Sequence, residues 1–227
     1  MQNDNLICII PIRSKSKSIK HKNIKMLAGL PLSIHAINAA FDCKLFKKII
    51  IATDSDIYKK RIQKYISDQK IVFFKRSKKS SLDYSPTEIV ISEILKKNEK
   101  THHICLVQAT SPLINKKDLI SGYKKYLSTD FDSLISGYLT KKFFWKQNKN
   151  GIKPLNYNPI LRPMRQKNNG TIVENGAFYF FKRKGFIKNK NRIFGKTGVY
   201  LMSEESSIEI DVQADFVKAE KILRKRK

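Results

Sequence analysis

Cysteine is scarce. Only Cys8, Cys43 and Cys105 occur in 227 residues, an odd number, widely spaced and set in apolar runs, so neither a disulfide framework nor a paired-cysteine metal site is expected. Buried free thiols in a reducing, cytoplasmic setting are the expectation. Histidine is equally thin: His21, His35, His102 and His103 show no metal-ligand spacing. With 9 glycines the chain has no GxxxxGK[ST] phosphate loop. No apolar stretch reaches the length of a membrane span, so membrane insertion is not expected. Nor does a basic segment followed by a long apolar run open the chain, so no signal peptide is expected.

Acidic residues are also few. The 46 lysines and arginines face 19 acids, a formal charge of +27. Such a surplus suits a polyanion partner, and it equally suits a compositional bias, because the basic residues are spread along the chain rather than gathered in one arm. The terminal Arg224 to Lys227 cluster reads as a solvated helix end. No internal repeat is visible.

What is present is an alternation of short apolar runs and helical patterns, the sequence form of a parallel sheet covered by helices, in a length that suits one α/β domain. Strands are predicted at Leu6–Ile10, Ile49–Ala52, Ile71–Phe74, Ile104–Val107, Ser133–Ser136, Glu174–Phe181 and Ser207–Val212. Helices are predicted after Gly29 and Pro31, over Ile57–Ile66, after Ser85 and Pro86, over about 116–127, and at the carboxyl end around Phe216, Ala219 and Leu223. The alternation lapses over about 140–169. That stretch holds Phe143, Phe144 and Trp145 and reads as an inserted lobe whose aromatics need burial, which a partner subunit would supply.

Three segments carry candidate chemistry. Pro11 to Asn23 follows the first strand directly and sets Arg13, Lys15, Lys17, Lys20 and Lys22 among three serines, a combination of amides, hydroxyls and cations that suits a polyphosphate. Alone, it reads more readily as a solvated basic loop. Gln108 to Pro112 lies at the carboxyl end of a predicted strand, where open α/β sheets place ligands. Glu209 and Asp211 sit two apart, so on a strand their carboxylates share a face and suit a hard cation, though solvated acidic pairs of this kind are common. Asn175-Gly176-Ala177 has the composition of a hairpin turn.

The order of these segments resembles the acylneuraminate cytidylyltransferases, the CMP-sialic acid synthetases. Pro11, Arg13, Ser16, Lys17, Ile19, Lys22 and Asn23 match that family's P-A-R-x-x-S-K-x-I-x-x-K-N signature, with Lys15 and Ser18 where glycines are commoner. Leu27-Ala-Gly-Leu-Pro-Leu32, Ile51-Ala-Thr-Asp-Ser55, Arg76 with Asp83-Tyr-Ser-Pro-Thr-Glu88, Leu106 to Leu113, Glu174 to Tyr179 and Ser207 to Asp211 resemble its further motifs in the same order. The resemblance implies a Rossmann-like nucleotidyltransferase, a mostly parallel sheet flanked by helices with a small inserted dimerisation lobe.

The implied reaction joins CTP and an acidic nine-carbon sugar into a CMP-sugar and pyrophosphate, for cell-surface polysaccharide such as lipopolysaccharide. Arg13, Lys17 and Asp211 are the implied catalytic residues. Arg13, Ser16, Lys17, Lys22, Asn23, Arg76, Ser85 and Gln108 would bind the nucleotide. Gln108, Lys142, Arg165, Asn175 and Tyr179 would shape the sugar site, and Glu209, standing where the family has aspartate, would hold Mg²⁺ with Asp211. A homodimer in the cytoplasm is implied, without a specific nucleic-acid partner. A Kdo-type or other sugar nucleotidyltransferase is the second enzyme reading, and a basic nucleic-acid-binding protein the reading from another class.

Overall fold

The fold is a computed structural model that describes residues 3–16 and 18–226. In chain order its strands are β1 (Asn3–Ile12), β2 (Met26–Leu27), β3 (Leu30–Pro31), β4 (Phe46–Thr53), β5 (Ile71–Lys75), β6 (His103–Val107), β7 (Ser133–Thr140), β8 (Trp145–Asn148), β9 (Gly151–Pro154), β10 (Thr171–Lys182) and β11 (Thr197–Leu201). The helices are α1 (Leu32–Asp42), α2 (Asp56–Gln63), α3 (Thr87–Leu95), α4 (Lys116–Ser128), α5 (Arg183–Asn189) and α6 (Gln213–Lys225).

Seven strands form one sheet in the order β11-β7-β10-β6-β1-β4-β5. All neighbours are parallel except β10, which runs antiparallel between β6 and β7. The mostly parallel, helix-flanked sheet is therefore the one expected. β1 shows why its sequence is unbroken in apolar residues. Leu6, Cys8, Ile10 and Ile12 pack on one face with residues of α1, α2 and α4, while Ile7 and Ile9 pack on the other with α3 and α5. Burying each such side chain contributes about 1.5–3 kcal/mol. All three cysteines are free and buried, and burial pushes the Cys43 thiol up to about 12.

Several boundaries differ from expectation. α2 begins at Asp56, capped by Ser55 Oγ accepting from Tyr58 N at 3.3 Å, and ends at Gln63, leaving Ile66 to pack on the core from beyond the helix. Met26 to Pro31 is a tight hairpin in which Ala28 and Gly29 both take positive φ (48° and 90°), the type I′ geometry that feeds α1. Asn175-Gly176 is not a turn. It lies inside β10, where the register shifts between Glu174 and Tyr179 and Gly176 takes φ 67°. Ser207–Val212 is not a strand: it leaves a 3-10 turn at Glu205–Ser207 and runs as an unpaired extended segment into α6. Between β7 and β10 the inserted residues form the small β8-β9 hairpin. Among the described residues no helix is long and apolar enough to cross a membrane.

His103, at the start of β6, has its Nδ1 3.0 Å from Tyr126 Oη, and burial lowers its pKa, with His102 and Lys182 adding to the effect. The unfolded imidazole protonates near pH ~6.5 and the folded one at lower pH, so stability is full above that value and is lost as pH falls through the window. Urea midpoints of the protein and of His103→Phe, measured from pH 7.5 to 5, are expected to show a smaller fall in the variant. Parallel curves would exclude this group as a source of the pH dependence.

Candidate functional site

The site is built where β1, β4 and β6 end. β1 stops at Ile12, and the basic loop that follows is clamped from below. Ser14 donates from N and Oγ to the two carboxylate oxygens of Asp54 at 2.7 and 2.9 Å, and Tyr58 Oη donates to Ser14 O at 2.9 Å. Burial, helped by Asp54, pushes the Tyr58 phenol up to about 12, which keeps it a donor. Asn23 Nδ2 closes the loop by donating to Arg13 O at 3.0 Å, while its Oδ1 is buried without a partner among the described residues. Lys15 does not take a positive φ, so glycine's freedom is not required there.

The same loop is tied to the far end of the chain. The buried Lys22 donates from Nζ to Ile210 O at 2.6 Å and Asp211 Oδ1 at 3.2 Å. Lys25 Nζ donates to Gln213 Oε1 at 2.8 Å and lies 5.1 Å above the Phe216 ring. From the other side, Ile210 N donates to Thr110 O at 2.8 Å and Thr110 Oγ1 to Glu209 Oε1 at 3.0 Å. Glu209 and Asp211 thus face one cleft because Thr110 and Lys22 hold them, not because a strand alternates them. Reduced solvation in the cleft wall raises the Glu209 carboxyl above its usual range, with Asp211 adding to the rise and Thr110 opposing it, although the side chain still reaches solvent.

A third wall comes from residues 76–87. Arg76 is buried, its N donating to Thr53 O at 3.0 Å and its Nη2 to Ser80 O. Burial lowers the Arg76 pKa and Asp54 opposes that effect. Ser85 Oγ donates to Lys79 O. Arg13 Nη1 reaches across to this wall, donating to Asp83 O at 3.0 Å and Asp83 Oδ1 at 3.3 Å.

The cleft so enclosed measures about 390 Å³. Of the residues singled out in the sequence, Arg13, Ser16, Lys22, Asn23, Arg76, Ser85, Gln108, Glu209 and Asp211 line it. Lys17 lies outside the described residues, and so does the side chain of Arg165, whose backbone is in a 3-10 turn over Arg165–Lys167. Lys142, Asn175 and Tyr179 do not line the cleft.

Lys142 pairs with Glu204 at 2.9 Å, which raises its pKa. Asn175 is turned inward: its Oδ1 accepts from Ser136 Oγ (2.7 Å) and Ala177 N (3.1 Å), and its Nδ2 donates to Ser207 Oγ (2.8 Å). That amide fastens the irregularity in β10 to β7. Tyr179 is 3% exposed and donates to Glu174 Oε1 at 2.5 Å, with the Arg192 guanidinium 4.6 Å over its ring. Burial raises the Tyr179 pKa. A Cβ on Gly176 would stand 3.5 Å from Glu209 Oε2 and 3.8 Å from Tyr179 Oη, which places this part of β10 beside the Glu209 wall.

Sequence reasoning gave no role to Asp54, Tyr58, Asp83, Thr110 or Arg192. Asp54, Asp83 and Thr110 do stand within the motifs that carry the resemblance. For Tyr58 the only signal is the serine cap that sets it in the first turn of α2. Arg192 pairs with Glu88 at 3.2 Å, and no local pattern announces that contact.

Glu209 and Asp211 are the side chains that would hold a magnesium ion here. Two carboxylates on neighbouring points of one cleft, opposite a phosphate-suited loop, match an ion that takes one or two protein oxygens and fills its shell with water and phosphate. Among the described residues no group of three or more metal-ligating side chains occurs, so the remaining ligands would come from solvent and substrate.

Known proteins resemble this chain in sequence and in fold. The family model described as Cytidylyltransferase matches residues 7–226. The chain is 35% identical over 225 residues to N-acylneuraminate cytidylyltransferase A of Danio rerio, covering 97% of this chain and 51% of that protein. It is 28% identical over 232 residues to Post-translational flagellin modification protein B of Campylobacter coli, covering 97% and 96%. The chain spans about half the length of the N-acylneuraminate cytidylyltransferases that it matches. Among solved structures, CMP:2-keto-3-deoxy-manno-octonic acid synthetase complexed with CTP superposes with a TM-score of 0.72 at 14% identity, covering 99% of this chain and 100% of that one. A likeness at that identity speaks for the fold alone, the Rossmann-like nucleotidyltransferase architecture.

Proposed function

From the premise that this chain belongs to the cytidylyltransferase family, we propose that it transfers CMP from CTP to the anomeric hydroxyl of a nonulosonic, sialic-type acid. The hydroxyl oxygen forms a bond to the α-phosphorus as the bond from that phosphorus to the pyrophosphate oxygen breaks, and pyrophosphate leaves. The observation that carries the reading is the 3.2 Å contact of Lys22 with Asp211, which holds the phosphate-suited loop and the carboxylate pair in one cleft from opposite ends of the chain. The named relatives favour the sialic-type sugar.

In this reading Arg13 and Lys17 neutralise phosphate charge, and Ser16, Lys22 and Asn23 hold the loop that presents their amides and hydroxyls. Arg76, Ser85 and Gln108 surround the base and ribose. Lys142, Arg165 and Tyr179, with Asn175 in support, form the sugar end. Glu209 and Asp211 would hold Mg²⁺, which when bound would supply charge neutralisation for the phosphates. Asp211 also helps to take up the hydroxyl proton. Positioning and electrostatics account for most of such a transfer.

The test is pyrophosphate release from CTP and Mg²⁺ with a panel of neuraminic-, legionaminic- and pseudaminic-type acids and Kdo. Release with a nonulosonic acid is the expected result. Release with Kdo alone would move the assignment to that sugar, and no release with any member would remove it.

The Asp54 clamp gives a sharper expectation. Asp54→Ala frees Ser14 from two hydrogen bonds to a charged group, worth about 1.5–3 kcal/mol each, so KM for CTP should rise by about 10-fold or more with a smaller change in kcat. Steady-state kinetics at saturating sugar would measure the split, and an unchanged KM would refute the clamp.

The reading includes a cytoplasmic homodimer. Ile152, Leu155, Ile160, Leu161 and Met164 are 58–89% exposed on the inserted residues. Phe143 has meanwhile found a local partner in Tyr157, with ring centroids 4.2 Å apart. Those five side chains, with Trp145 at 46% exposed, form the patch that a second copy would cover. Sedimentation should give a dimer for the protein and a monomer for Ile160→Asp/Leu161→Asp, and a monomeric parent protein would exclude it.

A further inference from the structure

A second cleft lies at the opposite end of the sheet, about 440 Å³ in volume, within the range of small-ligand sites. Ile7 of β1 and Thr101 form its buried part. Its rim is supplied by Lys47 and Lys48 at the start of β4 and by Lys96, Lys97 and Lys100 in the segment that leads from α3 to β6. Against these five ammonium groups stands only the carboxylate of Glu99, a local surplus of four positive charges. None of the five lysines forms an ion pair among the described residues, and the one contact recorded for their ammonium groups is Lys97 Nζ 5.6 Å over the Phe74 ring.

Lysines after a helix ordinarily serve its carboxyl-terminal carbonyls. Here that duty is already discharged by other groups. Asn98 Nδ2 donates to Ile94 O at 2.8 Å, and Arg183 Nη2 reaches Leu95 O at 3.4 Å. The ammonium groups of Lys96, Lys97 and Lys100 make no hydrogen bond or ion pair among the described residues, Lys97 touching only the Phe74 ring, on the rim of a concavity to which Lys47 and Lys48 contribute from another element. A cleft lined by charge of one sign concentrates counter-ions more strongly than the same charges on a flat surface.

We propose that this cleft is a second anion site, separate from the catalytic cleft, and that it binds a compact polyphosphate of the triphosphate class. Its chemistry excludes closer readings of nucleic acid. No aromatic ring lines it to stack a base, and no guanidinium fork lines it to read a base edge or grip a planar group. Lysine ammonium groups on flexible stems are point charges that wrap a tetrahedral, highly charged anion. The triphosphate can come from free inorganic polyphosphate or from a nucleoside triphosphate. The site does not depend on the sugar chosen for the catalytic reaction.

The experiment is calorimetric titration of inorganic tripolyphosphate into the full chain at low salt, with CTP present at a level that saturates catalysis and so fills the catalytic cleft. Binding is expected, and it should weaken at least tenfold in Lys48→Glu/Lys97→Glu/Lys100→Glu, and in the milder triple glutamine variant, while both variants keep their kcat and KM for CTP. Raising CTP further identifies the source: loss of the tripolyphosphate signal marks a nucleotide site, and its persistence marks a free-polyphosphate site. Binding that is equal in the variants, or absent in the parent protein, overturns the proposal. So does a cleft that ignores tripolyphosphate yet holds a DNA duplex or anionic phosphatidylserine vesicles through the same lysines.

Discussion

Arg13→Ala is expected to lower kcat/KM for CTP by about 10²–10³-fold, the usual cost of removing one preorganised group from the charge that develops in a transition state. Arg13 is the first residue past β1, so a rigid central strand aims it, and Asn23 fixes its backbone carbonyl from the other end of the loop. Its guanidinium is held ready by the Asp83 carbonyl and carboxylate rather than spent in the core, with side-chain exposures of 35% and 32% across the pair. A pair exposed to about a third in this way contributes little to stability. The thermal midpoint should therefore move little while activity collapses. Arg13→Lys keeps the charge but loses the planar fork, so only part of the rate should return. Steady-state kinetics alongside thermal denaturation separates these effects, and wild-type turnover in Arg13→Ala would remove the residue from the site.

The parts of this molecule that a reader of the sequence can see are those whose cause is local. β1, β4 and β6 announce themselves because both faces are covered, so their residues are apolar without alternation. The basic loop is visible because its cations and serines are contiguous. What the sequence hides is held by contacts between distant residues. The Asp54 clamp on Ser14 spans 40 positions and Lys22 to Asp211 spans 189. Ser207–Val212 imitates a strand because Ile208 and Ile210 alternate with Glu209 and Asp211, yet among the described residues its backbone bond from Ile210 to Thr110 is not repeated along the segment and no ladder forms. Asn175-Gly176 imitates a hairpin turn because a glycine with positive φ serves an irregular strand as well as a turn. β11 is a short edge strand with a single buried residue, and α5 spans only 7 residues, so neither leaves a periodic trace.

The carboxylate pair allows function to be separated from folding. Asp211→Asn is expected to lower kcat by about 10²–10³-fold, several kcal/mol of lost charge stabilisation, and to raise the Mg²⁺ concentration needed for half-maximal rate. Its side chain is 70% exposed, and its bond to Lys22 is the weaker of that lysine's two by length, so the folded state should hardly notice the change. Lys22 is the contrasting case. Its ammonium is buried, and its shorter bond, 2.6 Å, goes to the Ile210 carbonyl. Lys22→Met strips that carbonyl of its donor at a cost of about 1–3 kcal/mol and releases the segment that carries both carboxylates. It should therefore lose stability and activity together. Measured side by side, thermal midpoints and Mg²⁺ titrations of the rate should put Asp211→Asn on the activity axis alone and Lys22→Met on both. A normal rate and Mg²⁺ dependence in Asp211→Asn would show that the carboxylate faces the cleft without taking part in the transfer.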